Sequence, residues 1–274
     1  MSYAFPPGGL PDQSTSPEGT AVFTPAYAVL PAVTQRDIVT SHLPGWTGMR
    51  MWVLARPLSG FAETFSQYAV ELAAGGGSDT PETDEEAQSV IFVACGQITL
   101  NIDGARHVLD AGGYAYVPPD TVWTVWNDGD APGRFHWIRK RYVGAEGVDM
   151  PEAFVTCDQA VAPTVMPDCG GVWATTRFVA PDDLRHDMHV NIVTFQPGGR
   201  IPFAETHVME HGLYVLEGTA DYLLNKDWVP VSAGDFMWLR AFCPQACYAG
   251  GPGRFRYLLY KDVNRHMPLT PTAR

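Results

Sequence analysis

The 274-residue sequence predicts an all-β protein built as two tandem β-barrels, each a jelly roll, or double-stranded β-helix, of short antiparallel strands. Three observations predict it. Short runs of bulky residues recur along the chain, tight turn residues punctuate them, and the second half repeats the first in letters and spacing.

In the first half the strand-like runs are 51–54, 67–72, 89–93, 98–102, 114–117, 123–126 and 135–138. Gly75-Gly76-Gly77, Asp103-Gly104 and Asn127-Asp128-Gly129 separate them, and Asp-Gly between two such runs is a tight hairpin signal. The second half offers 189–195, 212–216, 220–224, 236–239 and 256–260. Val93-Ala94-Cys95-Gly96 corresponds to Leu216-Glu217-Gly218, and the interval from Gly96 to Gly112 equals that from Gly218 to Gly234. Pro132-Gly133-Arg134-Phe135 recurs as Pro252-Gly253-Arg254-Phe255. The expected organisation is an extended N-terminal arm over 1–28, rich in Pro, Gly, Ser and Thr, a first barrel over 29–150, a Pro-rich linker over 151–168 and a second barrel over 169–274.

Composition narrows the function classes. Hydrophobic residues are 46% of the chain and charged ones 18%, a core-forming balance. The net charge of −12 repels polyanions and argues against nucleic acid, while a metal ion could still invert the local field for a small anionic substrate. No apolar run reaches the roughly 18 residues of a membrane helix, and no signal peptide is visible at Met1-Ser2-Tyr3, so no membrane contact and a cytoplasmic place are expected. Five cysteines (Cys95, Cys157, Cys169, Cys243, Cys247) are widely spaced and odd in number, which argues against a disulfide framework.

The second half then carries a ligand pattern. Gly199 is followed after five residues by Glu205, then Thr206, His207, three residues, His211, six residues and Gly218. These spacings resemble the first motif of the cupin superfamily, with Glu in the first His place and His in the Glu place. Gly234 opens a second motif that sets Gln245 on its His position, although Arg240 and Phe242 stand where Pro and Gly are usual. Glu205 and His207 are two apart, so a strand would show both on one face. Two imidazoles, a carboxylate and an amide oxygen, without thiolate, suit Mn²⁺ or Fe²⁺, with Zn²⁺ an open alternative.

The first half is an internal control. Counting back from Gly96 gives Thr83, Glu85 and Ser89 where Gly218 gives Glu205, His207 and His211, and Trp123 stands at the Gln245 place. A first barrel without metal, serving as scaffold, is expected. His186 and His189 read as structural or near the barrel mouth, and Glu210 as outward or behind the ligands. His42, His107, His136 and His266 have no partner at ligand spacing.

The segments Asp187-Met188-His189-Val190-Asn191, Gln196-Pro197-Gly198, His211 to Gly218, Trp228-Val229-Pro230-Val231 and Tyr257 to Arg265 resemble the (S)-ureidoglycine aminohydrolases, bicupin enzymes of ureide breakdown. The resemblance implies a Mn²⁺-dependent hydrolysis of (S)-ureidoglycine to (S)-ureidoglycolate and ammonia. It also implies metal ligation by Glu205, His207, His211 and Gln245, and substrate contacts from Tyr222, Tyr257 and Lys261. The Pro-Gly-Arg-Phe register places Trp137 opposite Tyr257 and Arg141 opposite Lys261, so the catalytic set is expected in one barrel only. A manganese bicupin acting on oxalate-like acids, or a non-catalytic storage bicupin, are the competing readings. Cupin barrels commonly pair through edges and arms, so a homo-oligomer is expected.

Overall fold

The Phe255–Asp262 strand shows how the sequence builds this molecule. Phe255, Tyr257, Leu259 and Lys261 alternate with Leu258, Tyr260 and Asp262. The first set faces the interior of the second barrel, where Phe255 and Tyr257 pack with Phe195, Leu213 and Val215. Leu258 and Tyr260 face the other way and pack with Leu54, Val90, Ile138 and Tyr116 of the first barrel. A strand apolar on both faces belongs in the middle of two packed layers.

The computed structural model describes residues 21–35, 43–57 and 60–263. Most of the expected arm (1–20), His42, His266 and the end of the Tyr257 to Arg265 segment lie outside the described residues. Among the described residues the only helical element is a single 3₁₀ turn, Ala32–Thr34, so the fold is all-β as predicted.

In the first barrel the strands Ser66–Ser78, Gly133–Arg141, Ala87–Cys95 and Gly113–Val117 lie side by side, and Trp123–Trp126, Gln97–Ile102 and Ala105–Asp110 continue the same sheet round to the opposite wall. The second barrel sets Met188–Phe195, Phe255–Asp262, His211–Glu217 and Phe236–Leu239 against a four-stranded sheet of Arg200–Glu205, Gln245–Gly250, Thr219–Leu224 and Asp227–Ser232. Equivalent glycines seal both. A Cβ on Gly218 would lie 2.3 Å from the Arg254 carbonyl, and one on Gly96 would lie 2.6 Å from that of Pro132.

Two expectations change. Tyr27–Leu30 pairs along Phe236–Leu239 of the second barrel, with Tyr27, Ala28 and Val29 buried, and is not a surface arm. Phe154–Cys157, placed in the linker, pairs along Gly113–Val117 of the first barrel. Each half's leading strand thus docks on the other half, covering an edge that would otherwise offer unpaired backbone. Boundaries drawn at composition shifts at 28/29 and 150/151 miss this, because a docked strand is Pro-flanked and short like a linker.

The ladders also correct the register between the halves. His211 pairs with Lys261 as Ser89 pairs with Arg139, and Val215 pairs with Tyr257 as Val93 pairs with Phe135. The counterpart of Lys261 is therefore Arg139, not Arg141, and that of Tyr257 is Phe135, not Trp137. The Pro-Gly-Arg-Phe letters slip by two positions in a surface turn, whereas the inward–outward alternation holds the strand itself.

Candidate functional site

The second barrel encloses a cavity of about 210 Å³ lined by Glu205, His207, His211, Gln245, Tyr257 and Lys261, together with Thr175, Arg177, Asn191, Leu259 and others. Six of the seven residues singled out by the sequence therefore share one space.

Glu205 ends the Arg200–Glu205 strand and pairs with Gln245, the first residue of Gln245–Gly250. His207 is not on that strand. The backbone leaves the sheet after Glu205, and the Phe242 N–H donates to the His207 carbonyl at 2.6 Å, which ties the turn down. His207 Nε2 lies 3.3 Å from a Glu205 carboxylate oxygen, so the two still reach the same place. His211 opens the next strand, flanked by Leu239 and Lys261. Its Nδ1 is 2.9 Å from the Glu210 carbonyl, which can only accept, so Nδ1 carries the proton and Nε2 keeps a free lone pair. Burial, then the neighbouring His207, push the His211 pKa down to about 3, so the ring is neutral.

Tyr222 does not line the cavity. It is fully buried behind Gln245 and Tyr257, donating to Gln245 Oε1 at 3.0 Å with its hydroxyl 3.4 Å from that of Tyr257. Burial raises both phenol pKa values well above their usual 10, so neither is a phenolate and both act as neutral hydrogen-bonding groups. Lys261 sits between His211 and His189 on the ladder. Burial, then Arg177, lower its pKa.

The structure adds two residues that sequence reasoning missed. Arg177 forms no ion pair among the described residues and lines the cavity near Lys261. Asn191 pairs with Arg177 on the ladder, and its buried Oδ1 has no partner among the described residues. The signal for both was present only as parity: Asn191 shares its strand face with Val193 and Phe195.

Among the described residues, no group of three or more His, Cys, Asp or Glu side chains is gathered tightly enough to hold a metal ion. The donor chemistry nevertheless fits a divalent cation. Glu205 supplies an anion, His211 a neutral ring fixed in one tautomer, Gln245 a buried amide, and His207 an imidazole beside the carboxylate. All five cysteines are free thiols, and the Cys247 thiol, pushed up by burial, stays protonated. A thiolate site is thus absent from this cavity, in keeping with an N/O donor set.

In the first barrel the same positions carry other residues. Trp123 takes the place of Gln245, pairing with Ile102 as Gln245 pairs with Leu224. Ser89 takes the place of His211 and accepts from Trp137 Nε1 at 3.0 Å. Trp137 packs against Trp46, Tyr68 and Trp123, with ring centroids 5.5 to 6.1 Å away, and fills the space that is open in the second barrel.

Comparison with known proteins bears on the two-barrel organisation and on the family. The cupin domain model matches residues 68–139 and 191–260, one match per barrel. The chain is 29% identical to an (S)-ureidoglycine aminohydrolase of Escherichia coli (strain K12), over 86% of this chain and 89% of that one. It is 33% identical to an (S)-ureidoglycine aminohydrolase of Arabidopsis thaliana, over 85% of this chain and 76% of that one. Among solved structures, a Pseudomonas aeruginosa protein named for induction by glyoxylate is 65% identical, with TM-score 0.89 over 99% of this chain and 100% of that one.

Proposed function

The chain belongs to the cupin family and, within it, to the (S)-ureidoglycine aminohydrolases, and from that premise we propose that it converts (S)-ureidoglycine and water to (S)-ureidoglycolate and ammonia in its second barrel. The observation that carries this reading is the gathering of Glu205, His207, His211, Gln245, Tyr257 and Lys261 around one cavity of that barrel.

Glu205, His207, His211 and Gln245 would hold one divalent ion; the donor set suits Mn²⁺ or Fe²⁺, with Zn²⁺ the alternative, and the family resemblance is what selects Mn²⁺. Such an ion, when bound, supplies positive charge that binds an anionic substrate and makes bound groups more electrophilic. The remaining steps belong to the chain. Arg177, free of carboxylate partners among the described residues, binds the substrate carboxylate, and Asn191 Oδ1 accepts a ureido N–H. Tyr222 gives its one hydroxyl proton to Gln245 Oε1, so Tyr257 donates to Tyr222 across their 3.4 Å contact and its oxygen is left to accept a hydrogen bond from a substrate N–H. The C–N bond to the amine breaks and a water oxygen takes its place. Lys261, its proton loosened by burial and Arg177, hands that proton to the departing amine nitrogen and recovers one from the attacking water. Tyr222 is thereby a positioning residue, not a contact.

The test uses (S)-ureidoglycine generated in situ and followed by NMR. Protein loaded with Mn²⁺ should form a single ureidoglycolate enantiomer faster than the spontaneous loss of ammonia, and chelation should return the rate to background. Lys261→Met should lower turnover by about 10²–10⁴-fold while Mn²⁺ stays bound. Racemic product at the background rate would remove the assigned reaction. A Lys261→Met variant with full turnover would remove only the role of that side chain.

A further inference from the structure

One buried carboxylate in the second barrel takes no part in the reaction described above. Glu210, directly before His211, is 6% exposed and has no cationic partner among the described residues. Leaving an anion in such a place costs several kcal/mol unless strong donors hold it.

Four donors do. The Glu63 N–H reaches Oε1 at 2.7 Å, and the Thr64 N–H and hydroxyl reach Oε2 at 2.8 and 2.5 Å. Trp238 Nε1 completes the set at 2.5 Å. Three of the four come from the loop before Ser66–Ser78, which belongs to the first barrel. That loop is itself anchored on the site's own strand: the Thr64 hydroxyl lies 2.9 Å from that of Tyr260, and Phe65 stacks on Tyr260 with centroids 3.9 Å apart. It also presses on the ligand strand, because a Cβ on Gly212 would meet Phe65 at 2.6 Å.

The backbone of Glu210 faces the site. Its N–H donates to Asp262 at 2.6 Å, and its carbonyl accepts the Nδ1–H of His211 at 2.9 Å. A hydrogen bond to the far nitrogen of a metal-binding imidazole fixes its tautomer and its aim. We propose that the first barrel sets the metal affinity of the second through this clamp: the loop over residues 62–65 grips the Glu210 carboxylate, and the immobilised Glu210 carbonyl aims His211. Glu210 and Thr64 are positioning residues. The inference rests on the reading of His211 as a metal ligand.

The experiment titrates the full-length protein with Mn²⁺ alone, by calorimetry and by the electron paramagnetic resonance of the bound ion, alongside thermal unfolding. Glu210→Gln keeps the shape and removes the charge, and Thr64→Val removes one donor from the first barrel. Lys140→Met is the control, since it cuts another contact between the halves, the ion pair of Lys140 with Asp187, and leaves all four donors on the Glu210 carboxylate in place. Glu210→Gln should weaken Mn²⁺ binding by about 10–100-fold and Thr64→Val by several-fold, each with a changed resonance spectrum. Lys140→Met should lower the unfolding temperature and leave the affinity within twofold. If Glu210→Gln and Thr64→Val merely lower the unfolding temperature as the control does, with affinity and spectrum unchanged, the clamp is cement and the inference is overturned. Should Glu210→Gln fail to fold, Thr64→Val decides alone. Wild-type protein that takes up no Mn²⁺, Fe²⁺ or Zn²⁺ overturns the metal reading and this inference with it.

Discussion

The two barrels share one ladder and differ in what fills it. Across three central strands the second barrel places His189, Lys261 and His211 where the first places Ser66, Arg139 and Ser89. One step along, the second has Asn191, Leu259 and Leu213 where the first has Tyr68, Trp137 and Ile91. Small and polar residues leave a cavity with donors on its wall, and two large aromatics close it. Arg139 in the first barrel pairs with Glu82 and stacks over Trp137, so its charge is already neutralised, while Lys261 has burial and Arg177 loosening its proton. A duplicated fold can thus separate its duties by side-chain volume as much as by the identity of its polar residues. The closed copy gains rigidity, and the open copy can accept a substrate.

The comparison can be broken from the closed side. Trp137→Ala should remove about 3–5 kcal/mol of stability, because it deletes a fully buried indole, opens a void and strands the Ser89 hydroxyl. Urea unfolding would measure it. A loss below about 1 kcal/mol would mean that the first barrel does not depend on its aromatic filling.

From the open side, Leu259→Trp copies the first barrel's plug into the second. We expect kcat/KM to fall by about 10²-fold, equal to about 2.7 kcal/mol of lost transition-state binding, while Mn²⁺ is retained. Overpacking should cost no more than about 1–3 kcal/mol of stability, since Leu259 borders an existing cavity. Turnover that survives the plug would place the substrate elsewhere.

The smallest effect lies between the barrels. Where the second barrel presents Leu258 to the interface, the first presents His136, against the Tyr214 ring at 4.0 Å. Burial pushes the His136 pKa down to about 3, below the roughly 6.5 of an unfolded chain. Between those values the unfolded chain binds a proton that the folded one refuses. Stability is therefore full above about pH 6.5 and declines as the pH falls toward 3, by up to about 1.4 kcal/mol per unit from this group. His189, pushed down to about 4 by burial and then by Lys261, adds to the same acid loss. His136→Leu should flatten the acid limb of a plot of unfolding temperature against pH, and an unchanged limb would show that His136 does not contribute.

Much of the fold and of the candidate site is legible in the chain itself. The alternation of bulky residues, the repeat and the Glu205, His207, His211 and Gln245 spacing are local patterns, and local patterns survive folding unchanged. Strand parity put Tyr257 and Lys261 on the inner face, where they are found. The turn letters Pro-Gly-Arg-Phe misled the register by two residues, because a turn constrains only itself.

The all-β class, the duplication and the half that carries the Glu-x-His-x3-His pattern are legible from the chain alone, since each depends on spacing within a strand or between neighbouring strands. The packing of the two sheets was needed to see that the leading strands cross between barrels, that Tyr222 stands behind the site, that Arg177 and Asn191 enter it, and that Thr64 holds Glu210 from 146 residues away. Contacts at that separation leave no periodic trace in the chain, because they are fixed by how two finished sheets pack and not by the strand that carries either partner.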